Sequence, residues 1–198
     1  MTEKSQRTKE HIIKKVAPIF NSQGYTATSL SEITTATGLT KGAIYGNFKN
    51  KEELALEAFN YNIKYVLGKI KVITDEIDSP LAKLFAVSNF YRNYHQHQID
   101  FGGCPILNVG VDANNNNSEL YNRVREVALK LQQSITKMID DGKEKGEIKS
   151  EIDSIRYGGR IFSIIEGAVF TSVLMQNDSY LKDMMNHLDE LINKELSI

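Results

Sequence analysis

The sequence contains few of the residues that would indicate a disulfide-stapled or a β-sheet protein. Among its 198 residues there is one cysteine, Cys104, and there are three prolines. A single cysteine excludes an internal disulfide and a cysteine-based zinc site. Because prolines are rare and no segment alternates apolar and polar residues with a period of two, helices are favoured over strands almost throughout.

Long hydrophobic runs are also missing. The most apolar stretch, residues 161–175, has 15 residues and contains Glu166, so it is too short to span a bilayer and is typical of a buried helix. The first ten residues lack the apolar core of a secretory signal peptide. We therefore expect a cytoplasmic protein that does not enter a membrane.

The chain has almost no net charge, −1, which by itself argues against a nucleic-acid-binding protein. The charges are unevenly placed, however. Residues 1–51 contain eight basic and three acidic side chains, a net charge of +5, and the remainder carries −6. A basic segment beside a larger acidic body is typical of a small module that contacts a polyanion.

Start and stop signals divide the chain into about nine helices. The sequence from Ser29 to Glu32 is a capping box that begins a short helix, Gly38 ends this helix, and Thr40 caps the next one. In the first helix, Pro18 is expected to cause a local kink. The predicted helices cover about residues 5–23, 30–37, 41–48, 51–76, 80–97, 105–112, 118–145, 153–176 and 179–197.

The second and third helices, joined at residues 36–39, predict a helix-turn-helix. On a wheel of the third helix, Ile44 and Phe48 point inward, whereas Gly42 and Gly46 point outward. The outward stripe is nearly bare backbone, which permits a close approach to DNA. A purely structural helical hairpin is the alternative, but each of the two glycines would cost it roughly 1 kcal/mol relative to alanine.

Several side chains flank the glycine stripe. Ala43 can touch a thymine methyl group, and Lys41 or Asn47 can reach a base edge. Other hydroxyl and amine groups lie at helix starts or flanks, where such groups contact phosphates. They belong to Thr28, Ser29, Thr40, Tyr45 and Lys51.

Residues 24–33 (GYTATSLSEI) and 38–54 (GLTKGAIYGNFKNKEEL) resemble the DNA-binding domain of the tetracycline-repressor (TetR) family. The resemblance implies an all-helical homodimer of about nine helices. It further implies a helix-turn-helix bound to a palindromic operator and a C-terminal domain that binds a small-molecule inducer. Matched by position, the implied DNA contacts are Thr28, Thr40, Lys41, Gly42, Ala43, Tyr45, Asn47 and Lys51; Ser29 is added for its capping role.

The chain is accordingly divided into a helix-turn-helix domain, residues 1–51, and a helical ligand-binding and dimerisation domain, residues 52–198. We expect a repressor that a small-molecule inducer releases from its operator, with the fourth helix acting as a rigid lever. An architectural DNA-binding protein without a ligand cavity is an alternative. Small and apolar residues of the last two helices predict a four-helix dimer interface, with packing inside one subunit as the alternative. They are Gly158, Gly159, Gly167, Ala168, Leu181, Met185, Leu188 and Ile192.

An aromatic cluster before the glycine pair at 102–103 is the candidate inducer site, although an aromatic stripe is also typical of an ordinary core. Cys104 lies before a helix that begins with proline, where the helix dipole would lower the pKa of a thiol. Oxidant or electrophile sensing through Cys104 is therefore an alternative function, and a buried structural cysteine is the other interpretation. The candidate ligand-binding residues are Tyr91, Tyr94, Phe101, Cys104, Phe162 and Glu166.

Motifs for catalysis, metals and cofactors are lacking. His95 and His97 would diverge by about 200° on a helix, so they cannot share a metal ion. Cys104 with either histidine could form a nucleophile–base pair in a small helical enzyme, but no nucleophile elbow, phosphate loop or dinucleotide-binding glycine motif accompanies them. We expect neither an enzyme nor a bound metal or cofactor.

Overall fold

The computed structural model describes residues 3–96 and 102–198, which form nine α-helices and no strand. This confirms the predicted all-α fold. The helices are α1 (Glu3–Ala27), α2 (Leu30–Thr37), α3 (Lys41–Tyr45), α4 (Lys51–Asp75), α5 (Pro80–Arg92), α6 (Pro105–Ala113), α7 (Ser118–Glu144), α8 (Ser154–Leu174) and α9 (Ser179–Leu191), and one π-helical turn, Ile192–Leu196, follows α9.

The first helix is broken at Gly24, not at Pro18. Gly24 has φ +86° and ψ +167°, and it is the residue inside α1 with non-helical backbone angles. A glycine accepts this conformation without the steric cost that a Cβ would bring. The predicted stop at Gly24 is therefore correct, and a last short segment of α1 runs on to Ala27 in a new direction. Helix α1 continues through Pro18, as expected, and the local kink at Pro18 stays a prediction.

Three helices are shorter than the sequence predicts. Helix α3 ends at Tyr45 instead of Phe48, because Gly46 forms its C-cap. Helix α5 ends at Arg92, where the side chain of Asn93 donates a hydrogen bond to the carbonyl of Asn89 (2.9 Å); His97, the predicted last residue, lies outside the described residues. Helix α9 gives way to the π-helical turn after Leu191.

The described residues cluster into two compact units. The first comprises those within Met1–Val66 and Asp100–Arg125, and the second those within Leu67–Ile99 and Glu126–Ile198. Helix α6 therefore belongs to the same unit as the helix-turn-helix. These units are groups of residues in spatial contact, whereas the division into residues 1–51 and 52–198 separates two functions. That functional division stays a prediction.

Each unit has its own apolar core. In the first unit α1 packs against α2 and α6, and in the second α9 packs against α8 and α5. Burial of these apolar faces supplies most of the stability that short helices lack by themselves. The core of the first unit includes Ile12, Val16, Phe20, Ile33, Ile44, Phe48, Leu54 and Phe59, and that of the second includes Leu84, Ile139, Ile148, Ile161, Leu181, Met185, Leu188 and Ile192.

Candidate nucleic-acid interface

Local hydrogen bonds fix the beginning of α2 and the turn between α2 and α3, as the sequence predicts. The hydroxyl of Ser29 accepts the backbone N–H of Glu32 (3.2 Å), and the Glu32 carboxylate accepts the backbone N–H of Ser29 (2.8 Å). The Glu32 carboxylate also accepts the Ser29 hydroxyl (2.7 Å), and the hydrogen bonds that it accepts from the Ser29 N–H and hydroxyl lower the pKa of Glu32. Gly38 ends α2 in the left-handed conformation (φ +69°), and the hydroxyl of Thr40 caps α3 by accepting the N–H of Ala43 (3.2 Å).

The orientation of α3 agrees with the helical wheel. Ile44 is fully buried and Phe48 is 2% exposed, whereas Lys41, Gly42 and Gly46 are exposed. A Cβ added at Gly42 would meet only the Thr40 hydroxyl oxygen, 4.0 Å away. The outer face of α3 is therefore open, and a partner can approach its backbone closely.

Tyr45 and Asn47 lie half-buried at the edge of this face. The Asn47 amide donates a hydrogen bond to the carbonyl of Ala43 (2.9 Å), and its oxygen accepts the hydroxyl of Ser5 from α1 (3.3 Å). Asn47 thus ties the end of α3 to the beginning of α1. Each hydrogen bond uses one of the two N–H groups or one of the two oxygen lone pairs of the amide, so a base contact through Asn47 is compatible with both.

Thr28 differs from the sequence expectation. Its side chain is 0% exposed, and its hydroxyl donates a hydrogen bond to the carbonyl of Gly24 (2.7 Å). The hydroxyl is therefore not presented to a DNA phosphate. The backbone N–H of Thr28 donates to the same carbonyl (3.4 Å), so the hydroxyl adds a second, shorter hydrogen bond that stabilises the chain between the break in α1 and the beginning of α2.

Lys51, at the beginning of α4, lies over the ring of Tyr25, with its Nζ atom 4.6 Å from the ring centroid. Partial burial lowers the pKa of Lys51, and the negative charges of Asp112 and Glu32 oppose this effect. The side chain of Lys51 remains half-exposed.

Asp112 of α6 was missed by the sequence analysis. Its carboxylate accepts the backbone N–H groups of Tyr25 (2.6 Å) and Thr26 (3.2 Å) at the broken end of α1. No local pattern signals this contact, because the two segments are 86 and 87 residues apart in sequence.

The candidate ligand-binding residues fall into both units. Tyr91, Tyr94, Phe162 and Glu166 belong to the second unit, where the rings of Tyr91 and Tyr94 lie 5.2 Å apart between centroids. Tyr94 and Glu166 are buried, and Phe162 is half-buried. Phe101 lies outside the described residues.

Cys104 belongs to the first unit and is the N-cap residue of α6. It is 8% exposed. Burial of this degree is typical of a structural cysteine and does not favour a reactive, solvent-accessible thiol. The position before a proline-started helix is as predicted.

The small residues of α8 have two different environments. A Cβ at Gly158 would lie 2.3 Å from the Thr136 hydroxyl oxygen of α7, so Gly158 permits close packing inside the subunit. A Cβ at Gly167 would meet no atom within 4 Å. The apolar residues predicted for the dimer interface are buried inside the subunit: Ala168, Leu181, Met185, Leu188 and Ile192. Two other side chains of α8, Phe170 (53%) and Leu174 (65%), are exposed.

Within residues 3–96 and 102–198, none of the helices combines the length and the hydropathy needed to cross a membrane. Over the same residues, no group of three or more histidine, cysteine, aspartate and glutamate side chains is placed to hold a metal ion.

Two protein-family models match this chain, one in its N-terminal part and one in its C-terminal part. Residues 12–58 match the model for bacterial regulatory proteins of the tetR family, and residues 80–188 match that for the tetracyclin repressor-like C-terminal domain. The chain is 27% identical over 194 residues to the HTH-type transcriptional regulator YxaF of Bacillus subtilis (strain 168), which covers 95% of this chain and 96% of YxaF.

Two solved structures share both fold and sequence with this chain. A TetR transcriptional regulator from Chloroflexus aurantiacus is 32% identical, with a TM-score of 0.94 and 100% of each chain covered. A TetR-family transcriptional regulator from Cytophaga hutchinsonii is 30% identical, with a TM-score of 0.93 and coverage of 100% of this chain and 98% of that one.

The helical fold and the helix-turn-helix define a DNA-binding transcriptional regulator, not an enzyme. The C-terminal match alone covers more than half of the 198 residues. The chain belongs to the TetR family of transcriptional regulators.

Proposed function

We propose that this regulator is a homodimeric repressor that places α3 of each subunit in the major groove of a palindromic operator and is released by a small-molecule inducer. The observation that carries the proposal is the open face of α3, with Gly42 and Gly46 exposed and Ile44 and Phe48 buried. Alanine at Gly42 would stabilise this five-residue helix, because an added Cβ meets only the Thr40 hydroxyl oxygen at 4.0 Å, whereas a Cβ at Gly46, the C-cap, would lie 3.2 Å from the Gly42 carbonyl oxygen. Close approach of DNA is a physical reason for a glycine at position 42.

The exposed groups around α3 suggest which residues contact DNA bases and which contact phosphates. Lys41 and Ala43 are proposed to meet base edges, and Asn47 contributes at the rim through the remaining N–H and lone pair of its amide. Backbone approach at Gly42 brings these side chains into the groove. The phosphate contacts are proposed for Ser29, Thr40, Tyr45 and Lys51, whereas Thr28 supports the site from inside.

Lys41→Met tests this assignment in the full-length protein, with a duplex that the protein selects from a random-sequence pool. We expect weaker binding, and we expect the salt slope of log K to fall by about 0.9 for each charged interaction with DNA that the substitution removes. Lys64→Met is the matched control, because Lys64 is exposed on α4 about 20 Å beyond Lys51. Equal affinities for the two variants would contradict the placement of the DNA-binding face.

Dimerisation is proposed through the exposed faces of α8 and α9. A single five-residue recognition helix reads few bases, whereas two related by a twofold axis read half-sites about 34–36 Å apart. On α8 the open position at Gly167 and the exposed side chains of Phe170 and Leu174 form a surface suited to a second subunit. The proposed interface therefore consists of exposed side chains, whereas the buried apolar residues of α9 pack inside the subunit.

Gly167→Arg tests the dimer in sedimentation experiments. An added Cβ at position 167 meets no atom of the subunit within 4 Å, whereas an arginine side chain there would block a helix of a partner that approaches closely. Gly68→Arg is the matched control, since an added Cβ at Gly68 on α4 also meets nothing within 4 Å. We expect Gly167→Arg to dissociate and Gly68→Arg to remain dimeric; a Gly167→Arg protein as dimeric as the control would exclude this face.

The inducer is proposed to bind in the second unit beside Tyr91, Tyr94, Phe162 and Glu166; Phe101 and Cys104 stay candidates from the sequence. Two proteins of similar fold were solved with small molecules: a regulator from Saccharomonospora viridis with choline (17% identity, TM-score 0.80, 98% of this chain and 99% of that chain covered) and FadR from Bacillus subtilis with stearoyl-CoA (22% identity, TM-score 0.75, 93% and 97% covered). The buried side chain of Glu166, four residues from Phe162 on α8, would orient a ligand with polar groups.

A thermal-shift screen of small molecules, followed by measurement of DNA binding, tests the inducer proposal. A true inducer must bind the DNA-free state more tightly than the DNA-bound state. We expect a molecule that raises the melting temperature also to weaken DNA binding, and Phe162→Ala to reduce both effects. Ligands that stabilise the protein without affecting its DNA affinity would favour a ligand-independent DNA-binding role.

A further inference from the structure

Helix α6 supplies the carboxylate that holds the broken end of α1. The break at Gly24 presents the backbone N–H groups of Tyr25 and Thr26 to Asp112, at 2.6 and 3.2 Å from its Oδ2 atom. The approach is close, because a Cβ at Gly24 would lie 2.9 Å from Asp112 Cγ. The glycine and the aspartate therefore form one fitted contact.

A second contact connects Tyr25 to the beginning of α4. Tyr25, whose backbone Asp112 holds, provides the ring over which the Lys51 ammonium lies at 4.6 Å. The charge of Asp112 also acts on Lys51, where it raises the pKa against the lowering effect of partial burial. Asp112 thus affects Lys51 in two ways, through the position of Tyr25 and through its own charge.

We propose that Asp112 is a positioning residue for DNA binding, which holds the Lys51 ammonium where it meets a DNA phosphate. The inference rests on the proposed function, because it takes Lys51 as a phosphate contact. All residues of this chain of contacts belong to the first compact unit.

Whether neutralisation of Asp112 weakens or tightens DNA binding distinguishes a positioning role from simple electrostatic repulsion. An aspartate within a Debye length of a phosphate, about 10 Å at 0.1 M salt, repels DNA, so its neutralisation alone would tighten binding. If Asp112 positions Lys51, its neutralisation weakens binding instead. Asp112→Asn therefore gives opposite results under the two accounts.

The experiment measures affinity of the full-length protein for the selected duplex between 50 and 200 mM salt. Lys51→Met is expected to lower the salt slope of log K by about 0.9 per subunit, equivalent to about 8-fold in affinity at 0.1 M salt. Asp112→Asn is expected, like Lys51→Met, to lower both the salt slope of log K and the affinity. In the Lys51→Met background it should no longer weaken binding, because non-additivity marks two residues that act through one contact.

Three variants serve as controls. Glu119→Gln removes one exposed negative charge from the same unit without touching α1 and is expected not to weaken binding. Asp112→Asn combined with Lys41→Met should show additive losses of affinity, since Asp112 is proposed to act through Lys51 and not through Lys41. Tyr25→Leu keeps both backbone hydrogen bonds to Asp112 but removes the ring, so it should reproduce the Lys51→Met slope even if Asp112→Asn fails to fold.

Several results would overturn the inference and are distinguishable from failure of the proposed function. If Asp112→Asn, folded by circular dichroism, binds as tightly as the unsubstituted protein or more tightly, Asp112 does not position Lys51. If it weakens binding equally with and without Lys51, it acts elsewhere, and if Tyr25→Leu leaves the slope unchanged, the ring does not transmit the effect. An unchanged slope for Lys51→Met rejects Lys51 as a phosphate contact, and failure to select any duplex rejects the proposed function itself.

Discussion

Replacement of Gly42 by alanine should stabilise the protein and weaken its binding to DNA. The added methyl group has room, because the nearest atom outside the local backbone is the Thr40 hydroxyl oxygen at 4.0 Å. Within α3, alanine is favoured over glycine by about 0.8–1.0 kcal/mol. In a domain of about 150–250 residues, such a gain raises the melting temperature by about 2–4 °C.

The same methyl group would keep DNA from the α3 backbone. We expect the affinity for the selected duplex to fall by about tenfold or more, since displacement of one close contact costs about 1.4 kcal/mol or more. Fluorescence anisotropy measures the affinity, and thermal denaturation of the same sample measures the stability.

Gly68→Ala is the matched control for this prediction. Gly68 is exposed within α4 and its added Cβ also meets no atom within 4 Å, so the gain in stability should be similar while DNA binding is unchanged. If Gly42→Ala binds DNA as tightly as Gly68→Ala, the open glycine face does not serve close approach and the reasoning from α3 is refuted.

The remaining predictions concern stability. Ser29→Ala removes the capping box of α2 and should cost about 1 kcal/mol in urea denaturation; an unchanged midpoint would contradict the role of the cap. Hydrogen bonds from a backbone N–H and a serine hydroxyl lower the pKa of Glu147, so its stabilising effect is present above the ordinary glutamate pKa and disappears as the pH falls through the lowered value. Glu147→Gln should therefore be less stable than the exposed control Glu144→Gln at pH 7, with the difference shrinking in acid. Gly158→Ala places a Cβ 2.3 Å from the Thr136 hydroxyl oxygen, and it should lower the free energy of unfolding by about 1–3 kcal/mol; an unchanged free energy would contradict the close packing of α7 and α8.

The helix-turn-helix could be predicted from sequence because its signals are local. The capping box at Ser29, the left-handed Gly38 and the cap at Thr40 each involve residues within four positions of one another. The inward direction of Ile44 and Phe48 follows from helical periodicity alone. These features required no knowledge of the rest of the chain.

Contacts between distant segments could not be predicted in the same way. The contact of Asp112 with Tyr25 joins residues 87 positions apart. The inward direction of Leu181 is likewise set by packing of α9 against α8. Periodicity identifies an apolar face but does not say whether the same subunit or a second one covers it.

Selection of duplexes from a random-sequence pool by the full-length protein, followed by a salt titration of the best duplex, tests the central claim most directly. The account predicts enrichment of a palindrome whose half-sites are about one helical turn apart, with an affinity that falls steeply between 50 and 200 mM salt. Enrichment of no sequence, or an affinity that does not change with salt, would contradict it.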